Sequence, residues 1–193
     1  MSDVLRWDLN KSQEVLNAYI IPNAFSIAEI NYLHKLAENL PIEEGQVVGN
    51  TDRRNNVGII WLKDAVNFHW LYDKCAGLVK KANNDNFNKR LHFMETLQYT
   101  LYNEESNSYY GQHFDQLSMH NRDTKRVLSF SVQLTPPEMY QGGELELYTA
   151  NDFCATKNIG DMIIFDSMVL HEVKPVTAGM RASLVGWVHG PNI

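Results

Sequence analysis

The stretch GDMIIFDSMVLHEVKPVTAGMRASLVGWVHG, residues 160–190, decides the fold of this 193-residue chain. It contains three short runs of residues that favour β-structure, at Asp161–Phe165, Val169–Val173 and Arg181–Val188. Gly160 precedes the first run and Pro175 follows the second, and both residue types are typical of turns. The stretch therefore predicts three successive strands.

Similar runs extend back to about Met94 and enlarge the predicted sheet structure. Turn signals such as Pro136-Pro137 and Gly142-Gly143 separate them. The additional predicted strands are Leu97–Tyr102, Tyr109–Phe114, Arg126–Leu134, Glu144–Tyr148 and Phe153–Thr156. About eight short strands is the number found in a double-sheet jelly roll. We therefore predict a mainly β protein with flanking helices, of the α+β class.

The first half of the chain has helical patterns instead. Ser26-Ile27-Ala28-Glu29 has the form of a capping box and opens an amphipathic segment that continues to about Leu40. A second segment from Val66 to Ala82 places its apolar residues on one face and ends at Asn83. We expect both helices to pack on the outer face of the sheet.

Size and composition favour one domain. A chain of 193 residues can bury most of a core without splitting, and no linker or repeat divides it. We expect a single domain over residues 1–193, in which a helical and strand support region, residues 1–93, precedes a double-stranded β-helix core, residues 94–190.

The charge balance argues against polyanionic partners. Seventeen basic against 23 acidic residues give a net charge of -6, which repels nucleic-acid phosphates and anionic lipid. Cys75 and Cys154 are isolated, as is typical of reduced thiols in a cytosol. No signal peptide or membrane-spanning run is evident. We expect a soluble cytoplasmic protein that binds neither nucleic acid nor membrane.

A sparse set of polar residues on the predicted strands indicates a metal site. Residues two apart on a strand point to the same side, so His113 and Asp115 can reach one metal while Phe114 turns into the core. His171, on a later strand, supplies a second imidazole. Two imidazoles and one carboxylate on one face of an octahedron leave three positions open, which is typical of non-haem Fe(II) oxygenases.

Arg181 and Ser183 share one face of the last predicted strand and indicate an anion site. A guanidinium binds a carboxylate through paired, charge-assisted hydrogen bonds, and a serine hydroxyl can add a donor. Beside iron, such a clamp suggests the dicarboxylate co-substrate 2-oxoglutarate. Its keto oxygen and adjacent carboxylate can occupy two of the open iron positions and leave the third for O2.

This ordered set of residues resembles the 2-oxoglutarate and Fe(II)-dependent oxygenase superfamily, and in particular its prolyl 4-hydroxylase-like branch. The similarity covers about Met94 to Gly190, and it includes Tyr102, His113-x-Asp115, His171-Glu172-Val173-x-Pro175, Arg181-x-Ser183 and Trp187. It implies a double-stranded β-helix, three iron ligands at His113, Asp115 and His171, and an anchor for 2-oxoglutarate at Arg181. Tyr102 is implied to lie beside the co-substrate near the metal, and ascorbate dependence is implied by the family alone.

Comparison with particular branches of the superfamily shows which members this chain resembles least. Collagen-type enzymes usually have lysine where this chain has Arg181, halogenating members lack the carboxylate of Asp115, and the related nucleic-acid demethylases carry arginine where this chain has Trp187. Oxygen-sensing relatives use a tyrosine hydroxyl from the strand after His-x-Asp. Residues 130–134 offer no tyrosine, so Gln133 and Ser183 are the two candidates to replace it.

Together, these expectations predict a hydroxylase that inserts oxygen into an unactivated C–H bond and releases succinate and CO2. The resemblance suggests a prolyl residue in a peptide or protein, and a free amino acid or another small molecule is the alternative substrate. Two other classes remain open: a cupin-like isomerase or dioxygenase that uses the metal without a 2-oxo acid, and a non-enzymatic, metal-containing jelly-roll binding module. The sequence carries no signal for the oligomeric state.

Two weaker hypotheses concern residues outside this set. His120, just beyond Asp115, is a candidate to approach the substrate. The pair Arg53-Arg54 has two interpretations. The two side chains are solvent-exposed charges before a strand, or they form the wall of a groove that binds a peptide or a carboxylate. The remaining histidines are expected to be solvent-facing or to be core groups with satisfied hydrogen bonds; they are His34, His69, His92 and His189.

Overall fold

The computed structural model describes residues 17–45, 54–55, 57–116, 123–149 and 153–192. The two α-helices are α1, Ile27–Ala37, and α2, Ala65–Ala82. The strands are β1, Ala18–Ile21; β2, Glu43–Glu44; β3, Arg54–Asn55; β4, Gly58–Trp61; β5, Phe93–Met94; β6, Gln98–Asn103; β7, Tyr109–His113; β8, Thr124–Gln133; β9, Tyr140–Gly142; β10, Leu145–Tyr148; β11, Phe153–Cys154; β12, Met162–Asp166; β13, Leu170–Val173; and β14, Val176–Pro191. A π-helical turn, Asn83–Phe87, extends α2, and a 3-10 turn, Pro137–Met139, precedes β9.

The strands form two antiparallel sheets that enclose a cleft. The larger sheet has the order β1-β12-β8-β14-β6-β4-β2, and β5 and β9 also pair with β14. The smaller sheet has the order β11-β10-β13-β7-β3. Residues of both sheets line the cleft between them. This architecture confirms the predicted double-stranded β-helix.

The larger sheet separates the cleft from the main hydrophobic core. Along β14, Arg181, Ser183 and Val185 line the cleft, while the alternating residues Ala182 and Leu184 belong to the core on the other side. That core also contains buried residues of both helices, among them Ile30 and Leu33 of α1 and Leu71 and Cys75 of α2. The helices therefore cover the outer face of the sheet, as predicted.

Local hydrogen bonds explain where the two helices begin. The Ser26 backbone N–H donates to Glu29 Oε2 at 2.8 Å, and the Glu29 backbone N–H donates to Ser26 Oγ at 3.3 Å, which confirms the capping box. Asp64 caps α2 by accepting a hydrogen bond from the Val66 N–H at 2.9 Å. The first helix ends at Ala37 and is shorter than its apolar pattern predicts. No helix in the described part of the chain has the length and hydropathy needed to cross a bilayer.

Several features of the strands differ from the sequence prediction. The final strand, β14, has 16 residues and extends beyond the predicted Arg181–Val188 at both ends, because its first residues pair with β9 and its last residues pair with β8. The edge strand β1 lies in the half predicted mainly as helix and pairs with β12. The division of the chain into residues 1–93 and 94–190 stays a prediction.

The expectation that Phe114 points into the core is wrong. Its side chain is 54% exposed, whereas those of its neighbours His113 and Asp115 are buried. Alternation along the chain does place Phe114 opposite the two ligands, as expected. However, the buried side at this point is the cleft between the sheets, and the opposite side faces solvent.

Replacing Gly186 with alanine should destabilise the fold, because the interior of β14 has no room for a methyl group. An added Cβ would lie 2.3 Å from Cζ of the buried Phe130 ring and 2.8 Å from Leu97 Cδ2. Overpacking of this kind costs about 1–3 kcal/mol in free energy of unfolding, measurable by urea denaturation. Gly77→Ala in α2 is the matched control, since nothing lies within 4 Å of its added Cβ. Equal stability of the two variants would contradict the packing argument.

Candidate metal centre

His113, Asp115 and His171 come together in the cleft, and all three are buried. Their candidate ligand atoms all lie within 4.8 Å of one another. Asp115 Oδ1 is 3.6 Å from His113 Nε2, and Asp115 Oδ2 is 3.4 Å from His171 Nε2. The two histidines are register partners on β7 and β13. Their pairing places both imidazoles on the same side of the smaller sheet, beside the carboxylate.

Backbone carbonyls orient both imidazoles. His113 Nδ1 lies 2.8 Å from the Gly111 carbonyl oxygen, and His171 Nδ1 lies 2.9 Å from the Val169 carbonyl oxygen. A carbonyl can only accept, so each Nδ1 carries a proton; Nε2 then presents a lone pair in the neutral imidazole and donates to Asp115 in the protonated one. Both Nε2 atoms face Asp115. Hydrogen bonds of this kind typically fix metal-ligating histidines.

The turn between β12 and β13 holds Asp115 in place. The backbone N–H groups of Asp115 and Gln116 both donate to the Ser167 carbonyl oxygen, at 3.1 and 2.9 Å. The Ser167 side chain is buried, and its hydroxyl lies 2.9 Å from the Ser129 hydroxyl on β8. Ser167 therefore links the carboxylate-bearing loop to the larger sheet. Nothing in the local sequence around Ser167 signals this contact.

The electrostatics of the cluster suit a divalent cation. Burial lowers the pKa of His113, which favours the neutral, metal-binding imidazole. Burial acts to raise the pKa of Asp115, but hydrogen bonds with His113 and His171 outweigh it and hold that pKa well below its usual range. For His171 burial acts to lower the pKa, and the hydrogen bond and charge of Asp115 outweigh it and raise the pKa. An ionised carboxylate between two imidazoles matches the donor set of Fe(II).

Two aromatic rings pack against the imidazoles. Tyr110 stacks on His113 with ring centroids 3.5 Å apart and an interplanar angle of 18°. Phe165 contacts His171 edge-on, with centroids 4.8 Å apart. These contacts restrict rotation of the two imidazoles. Sequence reasoning did not identify either ring as part of the site, because each lies in an ordinary apolar strand pattern.

Arg181 lies in the same cleft and is only 1% exposed. Its Nη1 donates to Ser183 Oγ at 3.5 Å, and its Cζ lies 5.3 Å from the centre of the Tyr102 ring. Its Nε is buried without a hydrogen-bond partner, and none of the ion pairs among the described residues involves Arg181. The negative charge of Glu144 acts on the guanidinium without a direct ion pair, and a buried guanidinium that lacks such a pair is costly. The residues present therefore fit a bound carboxylate.

The structure places the other predicted residues as follows. Ser183 contacts Arg181, whereas the Gln133 amide donates to Tyr140 and to the Thr156 carbonyl oxygen over long distances of 3.5 and 3.4 Å. Tyr102 is buried and lines the cleft. Of the two candidates to replace the missing tyrosine hydroxyl, only Ser183 lines the cleft among the described residues.

Trp187 also lines the cleft, and the Arg126 guanidinium lies 4.1 Å from the centre of its ring. His189 is buried with hydrogen bonds to Glu95 and Thr124, as expected of a satisfied core histidine. The hypotheses about His120 and Arg53 fall outside the described residues. Of Arg54 only the backbone is described, in β3.

Comparison with known proteins connects this geometry with enzymes. Residues 97–189 match the model of the 2OG-Fe(II) oxygenase superfamily. A PKHD-type hydroxylase from Hyphomonas neptunium is 44% identical over 82 residues, which are 41% of this chain and 37% of that protein. One from Prochlorococcus marinus is 39% identical over 85 residues, which are 44% of this chain and 38% of that protein. The matches thus span less than two thirds of these relatives.

Solved structures show the same fold over most of the chain. A prolyl-4-hydroxylase from Pseudomonas putida has a TM-score of 0.69 at 18% identity and covers 89% of this chain and 91% of its own. A prolyl hydroxylase from Trichoplax adhaerens, solved in complex with a hypoxia inducible factor peptide fragment, has a TM-score of 0.69 at 21% identity and covers 89% of this chain and 83% of its own. At these identities the likeness establishes the fold.

Proposed function

Since residues 97–189 match the model of the 2OG-Fe(II) oxygenase superfamily, we propose that this protein is a hydroxylase that uses Fe(II), 2-oxoglutarate and O2 and releases succinate and CO2. The observation that carries the proposal is the buried guanidinium of Arg181, which lines the same cleft as the His113, Asp115 and His171 cluster. A metal site alone would fit many functions, whereas a buried guanidinium in the same cleft favours an anionic ligand beside the metal.

The residues of the cleft have distinct proposed roles. His113, Asp115 and His171 would hold the iron. Arg181 and Ser183 bind the remote carboxylate of 2-oxoglutarate. When bound together, Fe(II) and 2-oxoglutarate supply the oxidative decarboxylation that activates O2 towards a C–H bond. The protein contributes orientation and the exclusion of water.

Tyr102 and a set of apolar side chains form the walls around the co-substrate in this proposal. Tyr102 packs beside Arg181, and Leu145, Phe165 and Val173 line the same cleft with buried side chains. An apolar surround strengthens the attraction between the guanidinium and a carboxylate, because it excludes screening water. Ascorbate dependence remains a suggestion of the family.

For the oxidised substrate we propose a prolyl residue in a peptide or protein, in the cytoplasm. The Pseudomonas putida and Trichoplax adhaerens proteins of the same fold are prolyl hydroxylases, and the latter was solved with a peptide. The aromatic rings of Tyr110 and Trp187 line the cleft and offer flat apolar surfaces to a pyrrolidine ring. A free amino acid or another small molecule is the alternative substrate.

Anaerobic addition of Fe(II) and 2-oxoglutarate should produce the metal-to-ligand absorption band of a chelated 2-oxo acid, and exposure to air should then release succinate. Folded, iron-loaded protein that shows neither would contradict the proposal. Turnover without 2-oxoglutarate would indicate the cupin-like alternative. Tight 2-oxoglutarate binding without oxygen consumption would indicate the binding module.

A mass-resolved screen tests the substrate class. Prolyl peptides and free amino acids are incubated with the loaded enzyme, and the expected result is a gain of one oxygen atom in a prolyl peptide, coupled to succinate release. Oxygen gain confined to free amino acids would replace the peptide substrate by the alternative.

A further inference from the structure

Thr100 lines the same cleft as Arg181, on the strand β6 that pairs with β14. Thr100 and Ser183 are register partners on β6 and β14, so their side chains are neighbours across the sheet. Both side chains line the cleft, and Ser183 Oγ accepts a hydrogen bond from Arg181 Nη1. One guanidinium and two hydroxyl groups therefore converge on one part of the cleft wall.

Gln98 determines which way the Thr100 hydroxyl points. Gln98 Nε2 donates to Thr100 Oγ1 at 3.0 Å, and both side chains are buried, with exposures of 3% and 1%. Because this bond uses Thr100 as an acceptor, the hydroxyl proton remains available for donation. Among the described residues the Thr100 hydroxyl donates no hydrogen bond. A hydroxyl that accepts one hydrogen bond also becomes a better donor.

We propose that Thr100 is a further co-substrate-binding residue, which donates a hydrogen bond to the remote carboxylate of 2-oxoglutarate alongside Arg181 and Ser183. Gln98 is a positioning residue that orients the Thr100 hydroxyl. This inference rests on the proposed function, because it assumes that 2-oxoglutarate is the anion bound by Arg181. A carboxylate only accepts hydrogen bonds, and the site so described offers it donors alone.

The test is an anaerobic titration of Fe(II)-loaded protein with 2-oxoglutarate, followed by the absorption band of the chelated 2-oxo acid. Thr100→Val keeps the shape of the side chain and removes the hydroxyl, and it should weaken 2-oxoglutarate binding by roughly 10- to 100-fold, the loss typical of a hydrogen bond to a charged group. Thr100→Ser should restore most of the affinity. Gln98→Leu should cause a smaller loss than Thr100→Val.

Two controls separate binding from general damage to the cleft. Thr177→Val removes an exposed hydroxyl from β14 outside the cleft lining and should leave the 2-oxoglutarate affinity unchanged. The ligand 2-oxopentanoate has the same chain length but lacks the remote carboxylate, so Thr100→Val should not alter its binding. Equal weakening of both ligands, or unchanged 2-oxoglutarate affinity, would overturn the role of Thr100. Failure of the wild-type protein to bind 2-oxoglutarate would instead overturn the proposed function.

Discussion

Asp115→Ala is expected to lower the affinity for Fe(II) by at least about 100-fold and to abolish succinate formation. Loss of a hydrogen-bonding partner of a metal ligand already costs 10- to 100-fold in affinity or activity, and this substitution removes a ligand itself. Asp115 is also the one carboxylate in the cluster, so its loss removes the negative charge that opposes the cation. Anaerobic Fe(II) titration of the purified variant measures the change.

Glu172→Gln is the matched control for this prediction. Glu172 adjoins His171 in sequence, but its side chain pairs with Lys174 at 2.7 Å, away from the metal cluster. The control should bind iron as the wild-type protein does. Wild-type iron affinity in Asp115→Ala would show that the three residues do not form the metal site. An unfolded variant is recognised separately by circular dichroism.

Arg181→Met is expected to weaken 2-oxoglutarate binding by roughly 100-fold or more without reducing the stability of the ligand-free protein. Each hydrogen bond to a charged group contributes about 1.5–3 kcal/mol, and the substitution removes the whole fork of donors. The ligand-free fold should not suffer, because an apolar side chain avoids burying an uncompensated charge.

Thermal unfolding distinguishes the two effects of Arg181→Met. With Mn(II) present and 2-oxoglutarate at 100 times its dissociation constant, the wild-type protein should gain about 2.7 kcal/mol of stability. The variant should gain almost none at that concentration. Arg181→Lys, which keeps the charge but loses the planar fork, should lie between them. A large drop in the melting temperature of ligand-free Arg181→Met would indicate a structural role for the guanidinium.

The candidate metal cluster could be predicted from the sequence because local chain geometry alone places two of its three residues together. The two-residue spacing of His113 and Asp115 places both on one face of an extended strand, whatever the rest of the chain does. His171 lies beside these two residues only because β13 pairs with β7, and no local sequence signal predicts that pairing. The order of the motif residues, and the resemblance that it carries, supplied that information.

Contacts that depend on strand register were not predictable. Thr100 becomes a neighbour of Ser183 only through the alignment of β6 with β14, and a slip of one residue would turn it to the opposite face. The same limit explains why Ser167, which holds the Asp115 loop, was missed. Phe114 shows the converse error, because alternation gives the two sides of a strand but not which side is covered.

The alternation of β14 has a consequence for engineering this protein. Successive residues of β14 point alternately to the cleft and to the hydrophobic core. Arg181 and Ser183 belong to the proposed anion-binding site, whereas Ala182 between them packs in the core. Substitutions here are expected to be epistatic, because a change that repacks the core also displaces the donors beside it. Attempts to redirect the proposed hydroxylase to new substrates are therefore better aimed at the loops around the cleft than at this strand.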